Sequence, residues 1–179
     1  MRRLLLDGLL RRPLTERPPP VSDTALAELA ETLDRTMRRR LGRSLSIRVV
    51  DAGSCNGCEL ELNALNNPFY DLERFGIHLV ASPRHADVLV VTGPVTKNMA
   101  EALRRTYEAM PHPKWVVAVG GCAIDGGCFA GSPAVLAGVH HALPVDLHIP
   151  GCPPAPTAIL QGLLALLQRI NAPQQMEKP

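Results

Sequence analysis

The feature that most constrains the fold is an alternation of short β-branched runs with helical patterns, which begins after Gly42. Runs rich in Val and Ile predict strands, and the segments between or after them have the spacing of amphipathic helices. Such alternation needs crossover connections, which make the strands parallel and place helices on both faces of the sheet. The sequence therefore predicts an α/β, flavodoxin-like fold with a mostly parallel sheet. The predicted strands span residues 46–50, 77–81, 87–91, 115–119 and 145–149, and the predicted helices span residues 58–65, 97–110, 133–142 and 156–170.

The first 44 residues differ from this pattern and are predicted to form an N-terminal extension. Residues 1–20 contain five arginines against two acidic residues, with leucines between the charges, and prolines at 13 and 18–20 make a stiff connector. Such a basic segment lies on an anionic membrane surface or a partner subunit, or it is a frayed tail. The remaining boundaries are a folded domain at residues 45–172 and a tail at residues 173–179.

An amphipathic helix is predicted at the end of this extension. It begins at Ser22 or Asp23, which are favourable N-cap residues, and it ends in an arginine run before Gly42. Its apolar residues recur at steps of three or four and are Leu26, Leu29, Leu33, Met37 and Leu41. The helix either docks on a partner or covers the core of the domain.

The composition excludes several functional classes. The formal net charge is +2 and six residues are aromatic, so the chain lacks the basic surface and the stacking rings of a nucleic-acid-binding protein. Its longest apolar runs are far shorter than the ~20 residues that cross a bilayer. Asp7 interrupts the N-terminal apolar run, which disfavours an export signal. The five cysteines are an odd number, so metal or thiol chemistry in a reducing compartment is favoured over a disulfide framework.

Four of the cysteines directly follow predicted strands. Cys55 and Cys58 form a C-x-x-C pair after the first strand, Cys122 follows the fourth strand, and Cys152 follows the fifth. The carboxyl ends of parallel strands lie along one edge of a sheet, where such folds bind ligands. We therefore expect these four thiols to converge in space.

The chemistry of this set favours an iron-sulfur cluster. Four Cys thiolates are the usual ligands of a [4Fe-4S] cluster, and the glycines around them allow close approach of the backbone. A tetrathiolate zinc site and a thioredoxin-type C-x-x-C remain alternatives, although the first usually has two tight cysteine pairs and the second leaves Cys122 and Cys152 unexplained. Cys128 is the fifth thiol and is predicted to be a small buried residue, with the exchange of its role with Cys122 as the alternative.

Four blocks of the sequence resemble a known family. These blocks are Gly-Ser-Cys-Asn-Gly-Cys-Glu-Leu-Glu at 53–61, the segment 75–96, Val-Gly-Gly-Cys-Ala at 119–123 and Gly-Cys-Pro-Pro-Ala-Pro at 151–156. In this order they resemble the small-subunit family shared by the 20 kDa subunit of respiratory complex I and membrane-bound [NiFe] hydrogenases. The C-x-x-C of the first block is most similar to the small subunits of formate hydrogenlyase, hydrogenase-4 and other energy-converting hydrogenases, because complex I subunits have two adjacent cysteines there.

The resemblance implies a non-catalytic electron-transfer subunit of an oxidoreductase complex. One proximal [4Fe-4S] cluster on Cys55, Cys58, Cys122 and Cys152 would relay electrons between a ferredoxin-like iron-sulfur subunit and the active site of a [NiFe]-hydrogenase-like large subunit. Integral membrane subunits are the other expected partners, with the chain peripheral on the cytoplasmic side of the inner membrane. The alternative is the equivalent subunit of a complex I-type quinone oxidoreductase, and the third candidate is a structural zinc protein.

Three acidic residues lie in the cysteine loops. Glu59, Glu61 and Asp125 either supply protons to the partner's site or serve as solvated and helix-capping residues. The sequence leaves both interpretations open.

Overall fold

A five-stranded sheet forms the centre of the molecule. The computed structural model describes residues 23–40 and 42–170 of the chain. The strand order is β2-β1-β3-β4-β5, and every neighbouring pair is parallel. This is the order of flavodoxin-like doubly wound sheets, so the predicted fold class is confirmed. The strands are β1 (Leu45–Asp51), β2 (Ile77–Leu79), β3 (Val88–Thr92), β4 (Trp115–Val119) and β5 (Leu147–Ile149).

Helices cover both faces of this sheet. One face is packed by three helices through buried residues such as Leu33, Leu62 and Ile159, and the other is packed by residues that include Leu103, Ala123 and Val139. Strands β3 and β4 lie between the two layers and are buried at every residue, which explains their continuous apolar sequences. The helices are α1 (Asp23–Arg40), α2 (Gly57–Ala64), α3 (Lys97–Glu108), α4 (Gly121–Asp125) and α5 (Pro156–Arg169), with α1, α2 and α5 on the first face.

Helix α1 covers the core. It packs against α5 and against the 3-10 turn Leu72–Phe75, and the side chain of Leu33 is 1% exposed. Of the two interpretations of this helix, the cover for the core is therefore the one that the packing supports. The basic segment and proline connector at 1–20 and the tail at 173–179 lie outside the described residues. Within residues 23–40 and 42–170, none of the helices combines the length and the apolar character needed to cross a bilayer.

The helix predicted at residues 133–142 is wrong. This segment is irregular and contains one 3-10 turn, Val139–His141. Its backbone pairs with the chain that follows β3, because Val95 N–H donates to the carbonyl of Ala137 and Leu136 N–H donates to the carbonyl of Val95, at 3.0 and 2.7 Å. Ala137 has a φ of 77°, which no α-helix accommodates.

A buried carboxylate joins three strands at the opposite edge from the cysteine loops. Asp87, which is 3% exposed, accepts hydrogen bonds from the Ser46 backbone N–H and from the Arg43 guanidinium, each at 3.0 Å. Its own carbonyl accepts the Trp115 N–H at 3.0 Å. The amino ends of β1, β3 and β4 are thereby held in register by one residue.

We expect Asp87→Ala to lower the free energy of unfolding by about 2 kcal/mol, because a buried N–H and a guanidinium lose a charged acceptor. The matched control is Asp34→Ala, which removes the exposed i,i+4 pair with Arg38 and is expected to cost under about 1 kcal/mol. Urea unfolding of the purified variants measures both changes. Equal losses in the two variants would show that the Asp87 contacts are no stronger than a surface pair.

Candidate functional site

The four cysteines that follow strands line one cavity at the carboxyl edge of the sheet. The cavity has a volume of about 100 Å³, and the loops after β1, β4 and β5 contribute Cys55, Cys58, Cys122 and Cys152. Four glycines line the same cavity, namely Gly57, Gly93, Gly121 and Gly151. The structure therefore brings together the four residues that the sequence singled out.

The loop that carries Cys55 is held by its own side chains. Asp51, the last residue of β1, accepts the backbone N–H groups of Gly53 and Ser54 at 2.7 and 2.6 Å. The Ser54 hydroxyl accepts the Asn56 N–H at 3.0 Å, and Asn56 adopts a φ of 69° before α2 begins. Two successive turns thus place Cys55 in the loop and Cys58 in the first turn of the helix.

The loops after β4 and β5 are joined through their backbones. Gly120 N–H donates to the carbonyl of Ile149, and Gly121 N–H donates to the carbonyl of Gly151, both at 2.8 Å. These bonds extend the β4–β5 pairing beyond the strands. Cys122 and Cys152, which are 30 residues apart in the chain, are held side by side as a result.

Two glycines are required by close contacts in this region. A Cβ at Gly120, whose φ is 90°, would lie 2.6 Å from the Cys58 sulfur. A Cβ at Gly93, whose φ is 73°, would lie 2.5 Å from the backbone nitrogen of Ser54. The Gly93-Pro94 segment after β3 therefore packs directly against the loop of Cys55.

Cys128 lies beside the cavity and is not among its lining residues. The prediction that it is buried is wrong: it is exposed, as is the neighbouring Phe129, because the 3-10 turn Gly127–Phe129 projects from the fold. Cys128 is close enough to Cys122 to raise the pKa of that thiol, after the larger effect of burial. Gly126 and Gly127, which both have a left-handed φ, turn the chain back between the two cysteines.

Burial raises the pKa of two of the cavity thiols, those of Cys58 and Cys122, which favours their protonated form in the absence of metal. The pKa of Cys58 is raised to about 11, first by burial, then by the charge of Glu59 and by the neighbouring cysteines. Burial also raises the pKa of Cys122, with Cys128 as the next cause. Several thiols that cannot ionise together without a compensating cation are a suitable donor set for metal, which replaces their protons. Among the described residues, no three His, Cys, Asp or Glu side chains are placed to hold one metal ion.

The three acidic residues of the loops have different environments. Asp125 is exposed and accepts the Gly127 N–H at 2.8 Å, so it caps a turn. Glu61 is half-buried. One oxygen of Glu59 accepts a hydrogen bond from the hydroxyl of Thr92, and its other oxygen is buried. No local pattern predicts this contact, because 33 residues separate Glu59 from Thr92.

A known protein family matches more than half of the chain. The family of the NADH ubiquinone oxidoreductase 20 kDa subunit matches residues 55–166, which include all the cavity cysteines. The chain belongs to this family. Its relationship to the complex I 20 kDa and hydrogenase small-subunit group, predicted from the four sequence blocks, is thus confirmed.

Two curated relatives are 48% identical to the chain over 130 residues, or 73% of its length. One is the probable membrane-bound hydrogenase subunit mbhJ of Pyrococcus furiosus, of which 78% is covered. The other is an uncharacterized protein of Methanocaldococcus jannaschii, of which 87% is covered. The family member described here is thus similar to a subunit of a membrane-bound hydrogenase.

Two solved structures share its fold. A chain of the archaeal membrane-bound sulfane sulfur reductase, a respiratory membrane complex, is 37% identical with a TM-score of 0.64, and the match covers 78% of this chain and 76% of that one. A chain of the NAD⁺-reducing [NiFe]-hydrogenase is 22% identical with a TM-score of 0.56, and the match covers 71% and 93%. The second likeness supports the fold alone.

We expect Gly120→Ala to displace the Cys58 sulfur, because the added methyl carbon would lie 2.6 Å from it, and thereby to lower severalfold the iron that the predicted [4Fe-4S] cluster would bring to the purified protein. Gly131→Ala is a matched control: Gly131 also has a left-handed φ, of 81°, but a Cβ there meets nothing within 4 Å. Iron analysis and absorbance near 400 nm report the result. A similar loss in both variants would attribute the effect to backbone strain rather than to the contact with sulfur.

Proposed function

We propose that the chain is an electron-transfer subunit that carries one [4Fe-4S] cluster on Cys55, Cys58, Cys122 and Cys152. The observation that carries this proposal is the convergence of four thiols from three loops on one cavity at the carboxyl edge of a parallel sheet. When bound, the cluster supplies one-electron transfer. The polypeptide itself holds the cluster, limits its contact with water and tunes its potential.

The residues around the cavity fit such a group. The donor set consists of four sulfurs, the usual ligand set of this cluster. Glycine at 120 leaves room for the Cys58 sulfur, and glycine at 127 does the same for Cys122, since a Cβ there would lie 2.8 Å from its sulfur. The structural zinc alternative draws on the same thiols, and metal analysis distinguishes the two.

The complex that fits best is a membrane-bound hydrogenase-like assembly. The 48% identity with the Pyrococcus hydrogenase subunit supports this choice. In it, the chain relays electrons between a ferredoxin-like iron-sulfur subunit and the active site of a [NiFe]-hydrogenase-like large subunit, as in formate hydrogenlyase. Cys55 and Cys152 are exposed, and so is Leu60 beside Cys58, which gives a partner access to the cluster edge.

A second candidate is the same relay in a complex with a different terminal reaction. The 37% identity with a chain of the sulfane sulfur reductase favours it, since that respiratory complex is named for a sulfur substrate. A quinone-reducing relative of complex I is a third form of the same idea, consistent with the family description. In each form the chain transforms no substrate, and the large subunit determines the reaction.

We also propose a peripheral position on the cytoplasmic side of the membrane. The membrane complexes of the two relatives support membrane association. Integral membrane subunits are the proposed anchor, together with the basic residues at 1–20, whose positive charge suits an anionic surface.

Serine replacement of each cavity cysteine tests the cluster. Cys55→Ser, Cys58→Ser, Cys122→Ser and Cys152→Ser are each expected to lower bound iron and the EPR signal of the reduced cluster at least severalfold, because each removes one ligand. Cys128→Ser is the control and is expected to retain both. Loss of the cluster in Cys128→Ser with retention in Cys122→Ser would reverse the assignment of those two residues, and unchanged iron in several of the four would exclude the site.

Purification of the native assembly tests the partners. We expect a tagged chain to co-purify with a large subunit and with iron-sulfur and membrane subunits, because the open edge of its cavity needs an electron acceptor within reach. Nickel at one equivalent per large subunit supports the hydrogenase. Its absence, with sulfane sulfur or quinone reduction by the complex, supports the second candidate. A stable, cluster-loaded monomer on which no such activity depends would contradict both.

A further inference from the structure

A second cavity lies next to the cysteine site and contains two opposite charges. It has a volume of about 330 Å³ and lies between β1, the end of β2 and helix α2. Its walls are largely apolar, with Val49, Leu62 and Leu79 among them, and its charged members are Arg48 and Glu59. Glu59 directly follows the proposed ligand Cys58.

Each of the two charged side chains has one buried atom without a hydrogen-bond partner in the described part of the chain. These atoms are Nε of Arg48 and Oε2 of Glu59. Buried polar atoms are normally satisfied, and a cavity of this size holds several waters. The two orphaned atoms therefore point to a hydrated cavity that both the guanidinium and the carboxylate line.

Thr92 fixes the other oxygen of Glu59. Thr92 is fully buried at the end of β3, and its hydroxyl lies within hydrogen-bonding distance of both Glu59 Oε1 and the Val50 carbonyl. Since a hydroxyl has one proton and a bond to a carboxylate is the stronger, it donates to Glu59. The carboxylate is thus attached to the sheet rather than free to rotate into solvent.

We propose that the carboxylate of Glu59, held by Thr92 and opposed by Arg48, sets the reduction potential of the cluster. The proposal rests on the function proposed above. Taking up one electron makes the four-thiolate site more negative, and a fixed carboxylate next to Cys58 opposes that change, which lowers the potential. The positive charge of Arg48 has the opposite effect and raises the potential. Glu59 and Arg48 are half-buried, so salt screens their charges less than it screens fully exposed ones.

The test is an EPR-monitored redox titration of the purified native complex at one pH. Glu59→Gln retains the shape of the side chain, and we expect it to make the reduction potential more positive. The equilibrium constant for reduction should rise about three- to tenfold, where tenfold corresponds to about 59 mV for one electron. Arg48→Gln is expected to move it in the negative direction. The double variant should return close to the native value.

Glu61→Gln is the matched control, because it removes the same charge from the same helix at an equally half-buried position, but Glu61 is not among the residues that line this cavity. We expect a smaller shift in this variant. The opposite signs of the two single variants are the decisive readout, since general disturbance of the fold would not produce them.

Unchanged potentials in Glu59→Gln and Arg48→Gln, with the EPR signal intact, would overturn the inference and leave the proposed function standing. Shifts of the same sign in both variants would also overturn it. If Glu59→Gln loses the cluster, the sign of the Arg48→Gln shift decides, because Arg48 lies within strand β1 and not in a cysteine loop. Absence of a reduced-cluster signal in the native complex would overturn both proposals together.

Discussion

The site depends on one constraint of topology: parallel strands end at the same edge. β1, β4 and β5 are neighbours or near neighbours in an all-parallel sheet, so the loops that follow them meet without any contact specific to cysteine. Hydrogen bonds between backbone groups, such as Gly121 N–H to the Gly151 carbonyl, then bring the loops to contact distance. The sheet topology thus determines that the four cysteines meet, and the loop contacts determine how closely they approach one another.

The two edges of the sheet are held together by different kinds of residue. At the amino edge, Asp87 joins three strands through a carboxylate and a carbonyl. At the carboxyl edge, several glycines have a left-handed φ, among them Gly93, Gly120 and Gly151. Because they have no side chain, their backbone lies close to a cysteine sulfur or to the backbone of another loop residue. Rigid anchoring lies at one edge, and the chemistry of the molecule lies at the other.

Local patterns predicted the elements that local sequence controls. β4 has the predicted bounds, because five apolar residues stand between Lys114 and Gly120, and the order of strands and helices follows from the same periodicity. The segment 133–142 has helical spacing but pairs instead with residues 95–97, a contact that no local pattern contains. The meeting of the four cysteines was predictable since it follows from the parallel topology. The attachment of Glu59 to Thr92 and the exposure of Cys128 were not, because both depend on how distant loops pack.

The exposure of Cys55 and Cys152 has a consequence for biogenesis. If this edge carries the proposed cluster, it is open to the proteins that deliver iron and sulfide, and it is also the edge that the proposed large subunit would cover. Assembly of the proposed complex would then require that the cluster is inserted before the subunits associate.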